Sequence, residues 1–172
     1  MSDPRILSRC AMLVALNCIC AWISLPVWDI SFTLQTFSVF LTLGLLGGKL
    51  GTLTIGVYLL LGAVGFPVFS GFRGGIGVLL GATGGYLWGF LATGLVYWLI
   101  CHFFGKSCRL GAMIFGLAAC YALGTLWYAL IYLNGSAVFM VLLKCVVPFL
   151  LPDAIKLGLA YSMTARLSRL LT

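Results

Sequence analysis

The chain has 172 residues, of which 63% are hydrophobic and only 8% charged, and its mean hydropathy is +1.18. That excludes a soluble globular domain: the sequence reads as an all-α integral membrane protein, one transmembrane domain over 1–172, with room for roughly five to seven crossings at about 20 apolar residues each. The net charge of +7 comes from basic residues standing singly or in pairs between apolar segments, which excludes a nucleic-acid-binding stripe and marks them as topology signals.

Apolar stretches predict six helices, over 8–25, 34–48, 50–66, 76–104, 110–133 and 153–170. Arg5 and Arg9 precede the first, as in a signal peptide, but no A-x-A cleavage site follows, so it is expected to be a retained helix. It carries Ala11-Met12-Leu13-Val14-Ala15, a small-xxx-small pair that suits either packing within the bundle or docking of a partner helix. Thr33-Leu34-Gln35-Thr36 opens the second, where Gln35 both donates and accepts hydrogen bonds and Thr33 or Thr36 can cap the helix. Because Gly47-Gly48-Lys49 separates two short stretches, the second and third helices should form a compact hairpin.

The fourth stretch carries a glycine ladder, Gly77, Gly81, Gly85 and Gly89, extended by Thr93, which permits close helix packing. Within it, Gly84-Gly85-Tyr86 leaves space beside an aromatic ring with a polar tip, suited to a ligand wall. A further apolar stretch, 136–151, contains Lys144 and Pro148, and is expected as a short or re-entrant helix rather than a seventh span. The helix count is then even and both termini share a side.

With N- and C-termini cytoplasmic, inside positions hold Arg5, Arg9, Lys49, Lys106, Arg109, Arg166 and Arg169, and only Arg73, Lys144 and Lys156 face outward. The outward connections, 26–33, 67–75 and 134–152, are the longest and are expected to be irregular and to carry function. Trp22, Trp28 and Trp98 fit interfacial belts, and Trp88 and Trp127 should pack inside the bundle.

The last helix holds the strongest local signal, Pro152-Asp153-Ala154-Ile155-Lys156, with the proline expected in its first turn and acid and base three residues apart on one face. Ionisable groups near lipid are costly unless paired or facing a cavity, so the two are either a stabilising pair or a ligand or ion site. As a site, the ammonium suits an anionic group and the carboxylate suits N–H donors.

Seven cysteines without a CxxC pair, and one histidine, suggest neither a metal site nor a cofactor; the cysteines should pack in the core. Gly44-Leu45-Leu46-Gly47-Gly48-Lys49-Leu50 lacks the spacing and hydroxyl of a P-loop, so neither ATP hydrolysis nor other enzyme activity is expected. A proton-coupled carrier or small intramembrane enzyme using Asp153 and Lys156 as an acid–base pair remains a second class, although few groups are available to face that pair.

Thr33-Leu34-Gln35-Thr36, Tyr58-Leu59-Leu60-Leu61-Gly62, Gly65-Phe66-Pro67-Val68-Phe69, Thr83-Gly84-Gly85-Tyr86-Leu87 and Asp153-Ala154-Ile155-Lys156, in that order, resemble the BioY family over nearly the whole chain. BioY proteins are the biotin-specific S components of energy-coupling-factor (ECF) transporters. The resemblance implies a six-helix fold in a bacterial cytoplasmic (inner) membrane, an outward pocket for biotin, and assembly with a transmembrane coupling protein and two ATPase subunits. It implies ligand-binding roles for Asp153, Lys156, Gln35 and Thr33, and docking of the coupling protein on Ala11 and Ala15. With biotin as ligand, Lys156 is expected at its charged group or carbonyl and Asp153 at its ureido N–H groups, with Gln35, Arg73 and Tyr86 in support. An S component for another vitamin, or a solitary carrier, is the alternative.

Overall fold

Asp3 accepts a hydrogen bond from the Arg5 amide at 3.0 Å, and Pro4 occupies the first helical position, where a missing N–H costs nothing. This cap starts α1 (Pro4–Trp22) ahead of the apolar stretch that revealed it. The structure, a computed structural model, describes residues 3–27, 30–132 and 146–171; Trp28, Asp29, Lys144 and most of 136–151 lie outside them. The segment after α1, expected as an irregular loop, belongs to an antiparallel hairpin of β1 (Ser24–Val27) and β2 (Ile30–Thr33), in register from Ser24 opposite Thr33 to Val27 opposite Ile30. Pairing satisfies backbone groups that would be costly to leave open beside lipid.

Next comes α2 (Gln35–Val64), broken at Gly47, whose φ of 79° and ψ of 177° suit glycine alone. Its limbs, 35–46 and 48–64, fold back on each other. Gln35 Nε2 donates to the Tyr58 hydroxyl at 2.7 Å, whereas a straight helix would hold these residues about 34 Å apart. Leu43 and Gly51 likewise meet across the turn. The expected hairpin is therefore present, and it closes at Gly65, where φ is 114° and the amide bonds back to the Gly62 carbonyl.

The single helix expected over 76–104 is two: a one-turn α3 (Ile76–Leu79) and α4 (Gly84–Phe104). Gly84 packs so tightly on the Leu79 carbonyl that any side chain would collide, and the glycine-rich run has little helical propensity to bridge the turn. In α4 the ladder does what small residues do in membranes: Gly85 lies against Trp127 and Gly89 against Cys120 of α5 (Arg109–Tyr132). Trp127 packs inward as expected, its Nε1 donating to the Gly81 carbonyl at 3.1 Å. Trp88, expected inside, is exposed on the outer surface of α4.

The last helix, α6 (Val147–Leu171), starts ahead of position 153, and Pro152 sits inside it rather than in its first turn. Pro148 takes the first-turn place instead, and the only main-chain bond that Pro152 forgoes is the one to the Pro148 carbonyl. Residues 147–151, expected in a separate short helix, thus belong to α6. With α1, the two limbs of α2, α4 and α5, this makes six membrane segments among the described residues, the number expected; α1, α2, α4 and α5 are each long and apolar enough to cross a bilayer. The core holds Phe40, Leu43, Ile55, Tyr58, Phe69, Tyr97 and Met113. Several buried threonines spend their hydroxyls on their own helices, Thr42 on Ser38, Thr54 on Leu50, Thr93 on Gly89 and Thr164 on Ala160.

Candidate functional site

At the end of the bundle where β2, the 65–75 loop, α3 and the start of α6 converge, a cavity opens, about 740 Å³ counted out to its mouth. Thr33, Gln35, Arg73, Tyr86, Asp153 and Lys156 all line it, so residues singled out from distant parts of the sequence meet at one place.

Lys156 and Asp153 form the floor. Both are buried, 6% and 4% exposed, and the ammonium donates to Asp153 Oδ1 at 2.8 Å. Its other contacts are the Thr33 carbonyl at 2.7 Å and Thr36 Oγ1 at 3.3 Å, which accounts for all three N–H donors of a lysine. The ammonium also lies 3.7 Å from the centre of the Phe32 ring, itself stacked on Phe149. A buried charge is tolerated only with such company.

Asp153 is similarly supplied. Thr36 Oγ1 donates to Oδ1 at 2.8 Å and the Tyr121 hydroxyl to Oδ2 at 2.5 Å. With Lys156 these use three of the roughly four lone-pair directions of a carboxylate, leaving one on Oδ2. Sequence reasoning found the ion pair because charge is scarce in this chain. It missed Tyr121, Phe32 and Phe149, whose only signal was a polar or aromatic side chain at a position that gave no hint of facing the site, and it credited Thr36 with capping alone.

Gln35 sits beside the floor, buried, its amide nitrogen bonded to Tyr58 and its Oε1 accepting from Thr33 Oγ1 at 3.1 Å. Thr33 Oγ1 in turn accepts from the Gln35 main-chain N–H at 3.3 Å, although the N-cap of α2 is Leu34, without a side-chain cap, rather than Thr33 or Thr36 as expected. The Tyr58 hydroxyl passes the chain on to the Val68 carbonyl at 3.1 Å, tying the floor to the 65–75 loop. That loop forms the mouth: Arg73 is exposed there and gives Nε to the Ser70 carbonyl at 3.2 Å, while Phe69 is buried edge-on against Tyr58.

The remaining predicted residues lie elsewhere. Ala11 and Ala15 are exposed on the outer face of α1, while Leu13, Asn17 and Cys18 turn inward. Cys18, Cys20 and Cys120 are buried as expected of packing residues, although Cys108 is exposed. Among the described residues no cluster of His, Cys, Asp or Glu could hold a metal ion.

Comparison with known proteins matches residues 1–172 to the model of the BioY family. The chain is 40% identical over 167 residues to the biotin transporter BioY of Thermotoga maritima, covering 96% of this chain and 97% of that one. It is 38% identical over 162 residues to a probable biotin transporter BioY of Pyrococcus horikoshii, covering 93% and 94%. Among solved structures it is similar to the S-component for biotin from an ECF-type ABC transporter, with a TM-score of 0.87 and 25% identity over 96% of this chain and 91% of that one.

Proposed function

Because this chain belongs to the BioY family over its whole length, we propose that it binds biotin in the cavity above Asp153 and Lys156 and delivers it across the cytoplasmic membrane as the substrate-specific subunit of an ECF transporter. The observation that carries this reading is the convergence of Gln35, Arg73, Asp153 and Lys156 on one cavity, with an anion-binding group and an acceptor at different depths. Biotin presents matching chemistry: a carboxylate at one end and, at the other, a ureido ring with two N–H donors and a carbonyl, joined by an apolar body.

Hydrogen bonding within the site supports one orientation of the ligand. Lys156 has all three hydrogens engaged, so its task is to fix Asp153 and the end of β2 rather than to take the ligand carboxylate, a departure from the sequence-based expectation. The open lone pair on Asp153 Oδ2 receives one ureido N–H. Arg73, with only Nε engaged, offers its terminal nitrogens to the carboxylate at the mouth. Tyr86, Phe90 and Phe149 wall the apolar body.

Energy for transport comes from outside the chain: the exposed Ala11 and Ala15 permit close approach of a helix from a coupling protein, which would carry two ATPase subunits. The deciding experiment is calorimetric binding of biotin, thiamine and riboflavin to the purified chain in detergent. Biotin alone should bind; binding of another vitamin would reassign the substrate, and binding of none would sink the reading.

A further inference from the structure

Trp22, the last residue of α1, does not line the cavity, yet it makes two contacts with the loop that does. Its Nε1 donates to the Pro67 carbonyl at 2.8 Å, and its ring stacks on Phe72 with centroids 5.0 Å apart and planes inclined by 26°. Phe72 is, among the described residues, the one non-glycine with positive φ, 57°, directly after Gly71 at 70°. An aromatic residue holds that left-handed conformation only where its surroundings impose it. Core packing does not impose it here: Phe72 is 63% exposed, and Trp22 is its stacking partner.

The next residue is Arg73. Its main-chain carbonyl accepts from the Phe69 amide at 2.9 Å and its Nε donates to Ser70, so the turn at 70–73 is closed on both sides and its direction is set by Gly71 and Phe72. If Phe72 relaxed to negative φ, the chain would leave the turn differently and Arg73 would move from the mouth.

We propose that Trp22 is a positioning residue for substrate charge: by holding Phe72 and Pro67 it places the Arg73 guanidinium where the anionic end of the ligand arrives. This rests on the reading of the ligand as biotin with its carboxylate at Arg73. Selectivity for the charged end is thereby set partly from α1, a helix that contributes no side chain to the cavity wall.

The test compares the affinity of the full-length purified protein for biotin and for its neutral primary amide. Trp22→Leu should weaken biotin by roughly tenfold or more, the loss expected for a misplaced charge-assisted hydrogen bond, while changing the amide by less than about threefold. Arg73→Gln should show the same pattern, and adding Trp22→Leu to it should cost nothing further, since both act on one contact. Phe72→Gly, for which positive φ carries no penalty, should recover part of the biotin affinity lost in Trp22→Leu. Should Trp22→Leu fail to fold, Trp22→Phe, which keeps a ring to stack and removes the N–H, should show a smaller loss with the same bias toward biotin. Equal losses for both ligands, or none, would overturn the role of Trp22 while leaving biotin binding intact. A wild-type chain that binds neither ligand would overturn the functional reading and this inference together.

Discussion

At the floor of the cavity, Lys156 and Asp153 are buried and each is bonded to at least two further groups drawn from β2, α2 and α5. At the mouth, Arg73 is exposed and, among the described residues, its side chain has one hydrogen bond, to its own turn. The floor must satisfy its charges without a ligand, because an unpaired charge at that depth would cost several kcal/mol. The mouth has water for company and can leave donors free. Under the proposed function, a site built this way would orient its ligand by shape and by one open acceptor below, and would recognise charge above.

The comparison is broken most severely at the floor. Lys156→Met should abolish biotin binding and destabilise the chain by about 3–5 kcal/mol, since the Asp153 carboxylate would remain buried and unpaired. Thermal unfolding in detergent measures the second effect. Asp153→Asn with Lys156→Met should recover most of the stability but none of the binding; unchanged affinity in that double variant would remove the floor from recognition. At the mouth, Arg73→Gln should cost roughly 1.5–3 kcal/mol of biotin affinity by calorimetry and leave the unfolding temperature where it was. A shift in that temperature would show the mouth to be structural as well.

Smaller effects sharpen the contrast. Tyr121→Phe removes one of three donors to Asp153 and should lower affinity by about 1 kcal/mol, a few-fold in Kd, because the other two keep the carboxylate in place. Ala11→Trp, on the outer face of α1, should not change biotin binding by the isolated chain at all. In whole cells with the coupling subunits present it should reduce biotin uptake severely, and unaltered uptake would dismiss the alanine face as a docking surface.

The hairpin of α2 was legible because Gly47-Gly48-Lys49 interrupts an apolar run, and the floor because three carboxylates in 172 residues leave few places for an ion pair to hide. The start of α6 was not. Pro152 before Asp153 is what a first turn looks like, and only the packing of 147–151 shows that the helix already exists there and absorbs the missing bond. β1 and β2 are four residues each and include Pro26, too short and too irregular for alternation to register. Thr36 and Tyr121 reach Asp153 across 117 and 32 residues of sequence, and no local pattern encodes such a meeting.

The limb of α2 that rises from the turn at Gly47 to Gln35 spans only about 18 Å at 1.5 Å per residue, against a hydrocarbon slab of about 30 Å. Lys49, exposed beside the turn, fixes that end near one face of the slab, so Gln35 stops roughly 12 Å short of the other. Because this limb of α2 is short, Gln35 and the side chains of Asp153 and Lys156 beside it would lie below the level of the surrounding lipid headgroups, with the β hairpin and the 65–75 loop above them. Under the proposed function, a ligand on that floor would sit roughly 12 Å inside the slab, about two fifths of its thickness, before any subunit moves.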